Sequence, residues 1–300
     1  MALARRMWLA ALFSSLAGLA LAAVMARRDD QPGANQPSGQ ALASKLPPVL
    51  AGSVAISLLY FSLIAAAEVM TNYLHPQGGI LLHTSLTFLL ILHASSTHST
   101  TLRNLLLALA PVPMIRVVSL ALPLGHFSQI YWYLLAGLPL IVVALVVMRT
   151  VDYSARSVGL TLRHLPLQAP IAVTGVGFGI TEYFILKPEP LVGALTWQQV
   201  VVPALILLVA TGFAEELLFR GVLQKAALEA LGFGGVVYVT LLFAALHMGY
   251  NSALDVVFVF GVGLFLALAI MRTGSLLGAT LSHGLTNIVL FLVVPFWLGG

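Results

Sequence analysis

Long apolar runs, separated by short polar stretches, cover almost the whole chain. About ten of them approach the roughly 20 residues that a helix needs to cross a bilayer. The pattern therefore predicts an all-α fold, a polytopic transmembrane helical bundle of about ten spans. The predicted spans are Met7–Met25, Val49–Met70, Gly78–His93, Leu105–Leu124, Tyr131–Met148, Ala169–Leu186, Val200–Phe219, Gly234–Tyr250, Leu254–Met271 and Ser275–Leu298.

Two longer polar stretches suggest how the bundle is organised. Residues 27–48 are rich in Pro, Gly and Gln, which is typical of a flexible linker. The second stretch, Arg149–Pro166, separates spans without charged motifs from spans that contain them. We predict an amino-terminal transmembrane region over residues 1–150, without an assigned role, and a carboxy-terminal bundle over residues 151–300.

The basic residues predict the orientation. The termini and the even-numbered loops contain only Arg5, Arg6 and Lys187. The odd-numbered loops contain ten basic residues, Arg27, Arg28, Lys45, Arg103, Arg149, Arg156, Arg163, Arg220, Lys225 and Arg272. The positive-inside rule therefore places the odd-numbered loops in the cytoplasm.

An alternative for residues 1–26 is a cleaved signal peptide. Cleavage would invert the expected location of the linker, so we favour an uncleaved first helix.

The composition narrows the chemistry. The chain is 60% hydrophobic and 8% charged, against about 25% charged residues in an ordinary soluble domain. It contains no cysteine, which excludes disulfides, thiolate metal sites and a cysteine nucleophile. The net charge is +4, but no basic cluster is interleaved with aromatic residues, so nucleic acid is not an expected partner.

The stretch TGFAEELLFRGVL, residues 211–223, concentrates charge inside an apolar run. An ionisable residue at the centre of a membrane helix costs about 2.5–3.5 kcal/mol on insertion scales, so it usually has a partner or a function. Glu216 and Arg220 are four residues apart, the favourable spacing for an ion pair. Glu215 points away from Arg220 and remains available for chemistry. The alternative is that all three residues mark the cytoplasmic end of a helix.

Two later spans supply polar groups that suit water activation. His247 follows Phe243 by one turn, and His283 precedes Asn287 by one turn. A carboxylate removed from bulk water is a good general base near neutral pH, and an imidazole can orient a water molecule. An amide and an imidazole N–H can donate to a tetrahedral oxyanion. The alternative for each histidine is a structural hydrogen bond to a backbone carbonyl.

At these positions the sequence resembles the CAAX-protease and bacteriocin-processing family of intramembrane glutamate proteases. EELLFR matches its EExxxR motif, FAALH its FxxxH motif and HGLTN its HxxxN motif, in the family's order. The resemblance covers about residues 169–298. It implies a membrane-embedded cavity in which Glu215 and His247 activate water and His283 and Asn287 hold the oxyanion. Glu216, Arg220 and Phe243 would support the site.

The resemblance implies a metal-independent endopeptidase without a cofactor, in a bacterial plasma membrane, with its cavity open to the cytoplasm. Its expected partners are membrane lipids and a peptide or protein substrate at the membrane, lipid-modified or not. Three alternatives stay open. A metal could be held by Glu215, His247 and His283. The intramembrane cluster could serve a transporter, or it could belong to a non-catalytic scaffold or immunity protein.

The depths of the motif residues add a structural expectation. Counted from the cytoplasmic span ends, His283 and His247 lie deep, whereas Glu215 lies near the end of Val200–Phe219. The three residues can meet if a water-filled cavity enters the bilayer from the cytoplasm, or if the stretch after Phe213 remains helical and dips back into the membrane. We predict the cavity.

The remaining polar residues within spans are expected to be structural. Glu68 and Glu182 are interpreted as interfacial, with a cavity position as the alternative for Glu182. Asp255 is interpreted as structural, and Arg116 has no evident partner. The GVGFG stretch, residues 175–179, predicts close helix packing.

Overall fold

The computed structural model of the protein describes residues 48–121 and 127–298. The predicted span Met7–Met25, its signal-peptide alternative and residues 27–47 of the predicted linker lie outside the described residues. In the part of the chain that the structure describes, all regular secondary structure is helical. The helices are α1 Pro48–Val69, α2 Pro76–Ser96, α3 Thr100–Leu109, α4 Pro111–Ala121, α5 Gln129–Thr150, α6 Leu165–Leu186, α7 Trp197–Leu231, α8 Gly234–Tyr250, α9 Ala253–Thr273 and α10 Leu277–Leu298.

These helices correspond to the predicted spans. Among the described residues, eight helices are long and apolar enough to cross a membrane, counting Thr100–Leu120 as one, and α8 is a shorter apolar helix. Each of the nine matches one of the spans predicted after the first. The prediction of an all-α, polytopic helical bundle is confirmed.

The helix that contains the predicted span Val200–Phe219 does not end at Phe219, because α7 continues without a break to Leu231. Its 35 residues would extend about 52 Å at 1.5 Å per residue, against about 30 Å of hydrocarbon. Pairing within the helix neutralises the charges that suggested a loop. Lys225 Nζ lies 2.6 Å from Glu229 Oε1, and Arg220 is paired with Glu216.

Two stretches of α7 are π-helical, Leu207–Phe213 and Glu216–Leu223. They flank Ala214 and Glu215, so the first acidic residue of the motif lies between two widened turns. Such turns are rare inside α-helices and are frequent at functional sites. The sequence pattern gave no indication of them.

Helix α10 packs closely along α6 and along the first half of α7. A Cβ atom at Gly175 would overlap the Ser282 carbonyl oxygen, and one at Gly179 would lie 2.5 Å from the Thr286 carbonyl oxygen. A Cβ at Gly212 would lie 2.8 Å from the Gly284 nitrogen. Only the absence of side chains allows these backbones to approach so closely. The predicted role of GVGFG in close helix packing is confirmed.

The amino-terminal helices pack against the carboxy-terminal ones. Helix α1 contacts α8 and the last part of α7, while α5 packs on the π-helical part of α7. One continuous apolar cluster contains buried residues from α1 to α10, among them Ile64, Leu105, Leu217 and Ala279. The division into regions at residue 150 stays a prediction.

Candidate active site

The three motifs come together inside the bundle. Helix α7 contributes Glu215, Glu216 and Arg220, α8 contributes Phe243 and His247, and α10 contributes His283 and Asn287. Six of these seven residues, all except Glu215, line one cavity of about 40 Å³, together with Glu182, Phe258, Val259, Val262, Leu266 and Thr286. At roughly 10–15 Å³ per water molecule, the cavity has room for about three.

Glu216 is ion-paired with two neighbours through one carboxylate oxygen. Its side chain is 0% exposed, and its Oε1 lies 3.2 Å from Arg220 Nη1 and 2.9 Å from His283 Nδ1. The Arg220 guanidinium also stacks on the Phe243 ring, 3.9 Å from the ring centre. A buried carboxylate needs such compensation because an unpaired charge is costly in a medium of low dielectric constant. Glu216 therefore organises the site through Arg220 and His283.

Glu215 has no such close partner. Its side chain is 29% exposed, and its nearest ion-pair partner is His283, with Oε2 3.8 Å from Nε2. The His283 ring thus lies between the two carboxylates, with Nδ1 against Glu216 and Nε2 facing Glu215. Of the two adjacent acidic residues, Glu215 is the one that can accept a proton from another molecule.

His247 is held through one ring nitrogen. Its Nδ1 lies 2.9 Å from the Phe243 carbonyl oxygen, which can only accept, so Nδ1 carries the proton in this contact. In the neutral ring, Nε2 then has a free lone pair. The ring also packs against Phe243, with 4.8 Å between centroids. The backbone hydrogen bond expected for a structural histidine is present, and it leaves the second nitrogen available in the cavity.

Asn287 is oriented by α7. Its Nδ2 donates to Thr211 Oγ1 at 2.8 Å, and Thr211 in turn donates to the Leu207 carbonyl oxygen. An amide nitrogen carries two hydrogens, so this bond fixes the side chain and leaves a second N–H. Asn287 lines the cavity, where that N–H is suited to an oxyanion.

Glu182 lines the cavity, which is the alternative that the sequence left open for this residue. The interfacial interpretation is wrong, because Glu182 is buried, 7% exposed, and lines the cavity. A signal was present in the sequence. Glu182 follows Gly175 by seven residues and Gly179 by three, so it lies on the α6 face predicted to pack closely. Asp255, expected to be structural, is 0% exposed and interacts electrostatically with Glu182.

The amino-terminal helices contain a second charged cluster that the sequence did not reveal. Glu68 is 0% exposed rather than interfacial, and its Oε1 lies 2.6 Å from Arg116 Nε. Arg116 therefore has a partner on a helix 48 positions away in sequence, which no helical spacing could show. His83 Nε2 approaches the same carboxylate at 3.3 Å.

The donor groups around the cavity do not form a metal site. Across residues 48–121 and 127–298, no three His, Asp or Glu side chains are arranged to hold a metal ion. Glu215 and His283 lie near each other, whereas Nδ1 of His247 is engaged by a backbone carbonyl. The expectation that no metal takes part stays a prediction.

Comparison with known proteins supports the predicted resemblance. Residues 197–289 match the family model described as type II CAAX prenyl endopeptidase, Rce1-like. The match contains all seven motif residues and confirms the resemblance over this region. No curated protein and no solved structure matches the chain. With its apolar helices, the protein is a multi-pass integral membrane protein, and residues 197–289 are similar to a CAAX endopeptidase domain.

Proposed function

We propose that the protein is an intramembrane endopeptidase in which Glu215 and His247 activate water and His283 and Asn287 stabilise the oxyanion. One observation carries the proposal. Two adjacent carboxylates have different surroundings: Glu216 is fully buried and ion-paired with Arg220 and His283, whereas Glu215 is 29% exposed and lies 3.8 Å from the second nitrogen of the same imidazole. A purely structural charge cluster has no need for a second, partly exposed carboxylate next to the first.

The proposed reaction is the hydrolysis of a peptide bond. Glu215 takes a proton from a water molecule oriented by Nε2 of His247, and the hydroxide oxygen bonds to the carbonyl carbon of the substrate. The carbonyl oxygen becomes an oxyanion that accepts hydrogen bonds from Nε2–H of His283, protonated on both ring nitrogens, and from the free N–H of Asn287. When the C–N bond breaks, Glu215 returns its proton to the leaving amine. One carboxylate thus acts as base and then as acid.

The proposed substrate is a peptide or protein segment that reaches the membrane, lipid-modified or not, and is cleaved near the cytoplasmic surface. The positive-inside count supports this orientation, because it places the Leu231 end of α7 in the cytoplasm. Cysteine scanning with a membrane-impermeant thiol reagent tests it. A single cysteine at the exposed Gly234, where no atom lies within 4 Å of an added Cβ, should react from the cytoplasmic side only, in a chain that has no cysteine of its own.

The decisive experiment compares membrane peptide termini between cells that carry the wild-type protein and cells that carry Glu215→Gln. Glu189→Gln is the matched control, because Glu189 is an exposed acidic residue between α6 and α7. At least one new terminus should be present with the wild-type and control proteins and absent with Glu215→Gln. Purified protein should then cleave the corresponding peptide. A protein with Glu215→Gln that cleaves it at the wild-type rate would refute the proposal.

Transport is a second candidate function, favoured by the buried acidic residues beside the cavity. Glu182 lines the cavity, and both carboxylate oxygens of the buried Asp255 are without a hydrogen-bond partner. Intramembrane carboxylates of this kind occur on proton and ion paths. Reconstituted vesicles with an internal pH dye separate the two functions. Proton or solute movement that depends on Glu215, without proteolysis, would favour a transporter over a protease.

A third possibility is a non-catalytic scaffold or immunity protein that uses the same cluster to bind a partner. This function predicts that Glu215→Gln still binds the partner, whereas variants that disturb helix packing do not. The comparison of membrane peptide termini distinguishes it from a protease, because a non-catalytic protein produces no new terminus.

A further inference from the structure

The second charged cluster, Glu68 with Asn72, His83 and Arg116, lies on helices outside the matched family region. Arg116 Nε and His83 Nε2 approach Glu68 Oε1 at 2.6 and 3.3 Å. Asn72 donates through Nδ2 to Glu68 Oε2 at 3.1 Å and to the Glu68 carbonyl oxygen at 2.9 Å. The carboxylate thus holds groups from three segments of the amino-terminal region in one place.

Stability alone is a poor explanation for this cluster. The Glu68 and His83 side chains are 0% exposed, and Arg116 is 17% exposed. Replacing a buried ion pair by apolar groups of similar volume is often neutral or stabilising. Such a pair is better explained where it fixes the geometry of something else, so its neighbours are informative.

The cluster lies against the turn that carries His247. A Cβ atom on Gly249 would lie 3.4 Å from Asn72 Oδ1 and 3.8 Å from Arg116 Nη2. Tyr73, next to Asn72, donates its hydroxyl to the Met248 carbonyl oxygen at 3.2 Å. Arg116 is also close enough to His247 to interact with it electrostatically.

That turn needs support from outside its own helix. Helix α8 changes to a 3-10 turn at Leu246–Tyr250, and the next residue, Asn251, has a left-handed backbone with φ of 55°. The hydrogen bond that orients the His247 ring is to Phe243, in the same helix. It fixes the ring relative to α8 but does not fix the end of α8 relative to α7 and α10, where Glu215 and His283 lie.

We infer that the Glu68–Arg116 pair, with Asn72, is a positioning element that holds the His247 turn against the cavity from the amino-terminal side. The catalytic consequence rests on the proposed function, whereas the positioning itself does not. The amino-terminal helices thereby gain a role, and the active site extends beyond the matched segment.

The test uses the full-length protein labelled with ¹³C and ¹⁵N in histidine. The His247 and His283 signals are assigned by loss in His247→Gln and His283→Gln. The main variant is the double substitution Glu68→Gln, Arg116→Gln, because it removes both charges and leaves no uncompensated buried ion. The single substitution Arg116→Lys keeps the charge but not the guanidinium geometry. Tyr60→Phe is the matched control, because it removes the buried hydrogen bond between α1 and α2 to His93 Nδ1, about two turns from Glu68.

The double variant should shift and broaden the His247 signal and leave His283 and the global unfolding midpoint close to those of Tyr60→Phe. Arg116→Lys should shift the His247 signal less than the double variant does, because it keeps the charge beside Glu68. An unchanged His247 signal in a folded double variant overturns the inference. Equal changes at His247 and His283 also overturn it, because they indicate a general loss of packing.

Proteolysis gives a second measurement once a substrate is known. Misplacing a reacting group by about 1 Å can lower a rate about 100-fold, so the double variant should lower kcat by up to about 100-fold with KM unchanged. A loss seen mainly in KM would contradict positioning of His247. If the wild-type protein cleaves nothing, the proposed function fails, and the histidine signals still decide the positioning inference.

Discussion

Two charged clusters lie inside this bundle, and their carboxylates have different surroundings. In the amino-terminal cluster, Glu68 is fully buried and shared by Arg116, His83 and Asn72. In the carboxy-terminal cluster, Glu216 is equally buried and is shared by Arg220 and His283, but its neighbour Glu215 is 29% exposed, with its closest ion-pair partner at 3.8 Å. Both clusters contain an acid, an arginine and a histidine, and the second differs from the first by this additional, partly exposed acid.

The difference shows that intramembrane charge by itself does not identify a reactive site. A fully buried, ion-paired cluster holds helices in place, because its charged groups are engaged with one another. Reactivity requires a group that the fold leaves incompletely paired and that solvent or substrate can reach. Glu215 is 29% exposed and has its nearest ion-pair partner at 3.8 Å, whereas Glu68 and Glu216 are 0% exposed and out of the reach of solvent.

The largest expected effect is the loss of kcat on substitution of Glu215, the residue that distinguishes the two clusters. Removing a general base typically lowers a rate about 10²–10⁴-fold, so Glu215→Gln should lower kcat by that factor. The unfolding midpoint should stay near that of the wild type, because Glu215 makes no close ion pair. Peptide cleavage and SDS-induced unfolding in mixed micelles measure the two quantities. A large loss of stability with little loss of rate would make Glu215 a structural residue like Glu68.

The next effect concerns the oxyanion. Loss of one oxyanion donor typically costs about 10²–10³ in kcat, and Asn287→Ala should lose that much. Thr211→Val is the matched control, because it removes the group that orients Asn287 and keeps the amide. It should lose much less than Asn287→Ala. Equal losses would mean that the Asn287–Thr211 hydrogen bond, rather than the free N–H, is what matters.

The third effect compares the adjacent acids directly. Glu216→Gln leaves the buried Arg220 without its counter-charge, and breaking a buried pair in this way costs about 3–5 kcal/mol of unfolding free energy. The double variant Glu216→Gln, Arg220→Met should recover part of that loss. SDS titration of both variants measures it. Unfolding free energies within about 0.5 kcal/mol of the wild type would show that Glu216 is not committed to Arg220.

A smaller effect tests the packing that brings His283 and Asn287 to the site. Gly175→Ala places a methyl group on the Ser282 carbonyl oxygen, and such overpacking typically costs about 1–3 kcal/mol. Gly261→Ala, in α9, is the control, because no atom lies within 4 Å of the added Cβ. The control should be neutral or slightly stabilising in SDS titration. If both variants unfold alike, the close contact between α6 and α10 is not important for stability.

The smallest effect lies at the membrane surface, outside both clusters. Burial, followed by the hydrogen bond to Glu229, raises the pKa of Tyr153 above its ordinary value. The folded protein therefore holds this proton more tightly than the unfolded chain, and the stabilisation is lost as the pH rises above about 10. Tyr153→Phe should weaken the loss of stability between neutral pH and pH 11. An unchanged alkaline profile would contradict this contribution.

The sequence predicted the helices and the composition of the site better than it predicted the contacts. Pairing of Glu216 with Arg220 follows from spacing within one helix and is present at 3.2 Å. The contact of His283 with Glu216 joins two helices, so no local pattern contains it. The same holds for Arg116 and Glu68, which join α4 to α1.

The errors share a physical origin. Charged residues suggested the end of a span at Phe219, but pairing along α7 neutralises them, and the helix continues to Leu231. The position of Glu182 near the end of its span predicts an interfacial residue, whereas its helical face determines its environment. Side-chain partners determine what a membrane helix tolerates, and partners on other helices become visible only in the folded protein.

The π-helical turns on either side of Glu215 have a consequence for the way the chain tolerates length changes. Each such turn accommodates one residue more than an α-helical turn, so deleting one residue within Leu207–Phe213 would restore an ordinary helix. The flanking residues would keep their directions, because the widened turn absorbs the change. The same deletion in a regular α-helix would rotate everything on one side by about 100° relative to the other. The π-helical turns therefore allow this segment to change its length by one residue without reorienting Glu215 relative to His283.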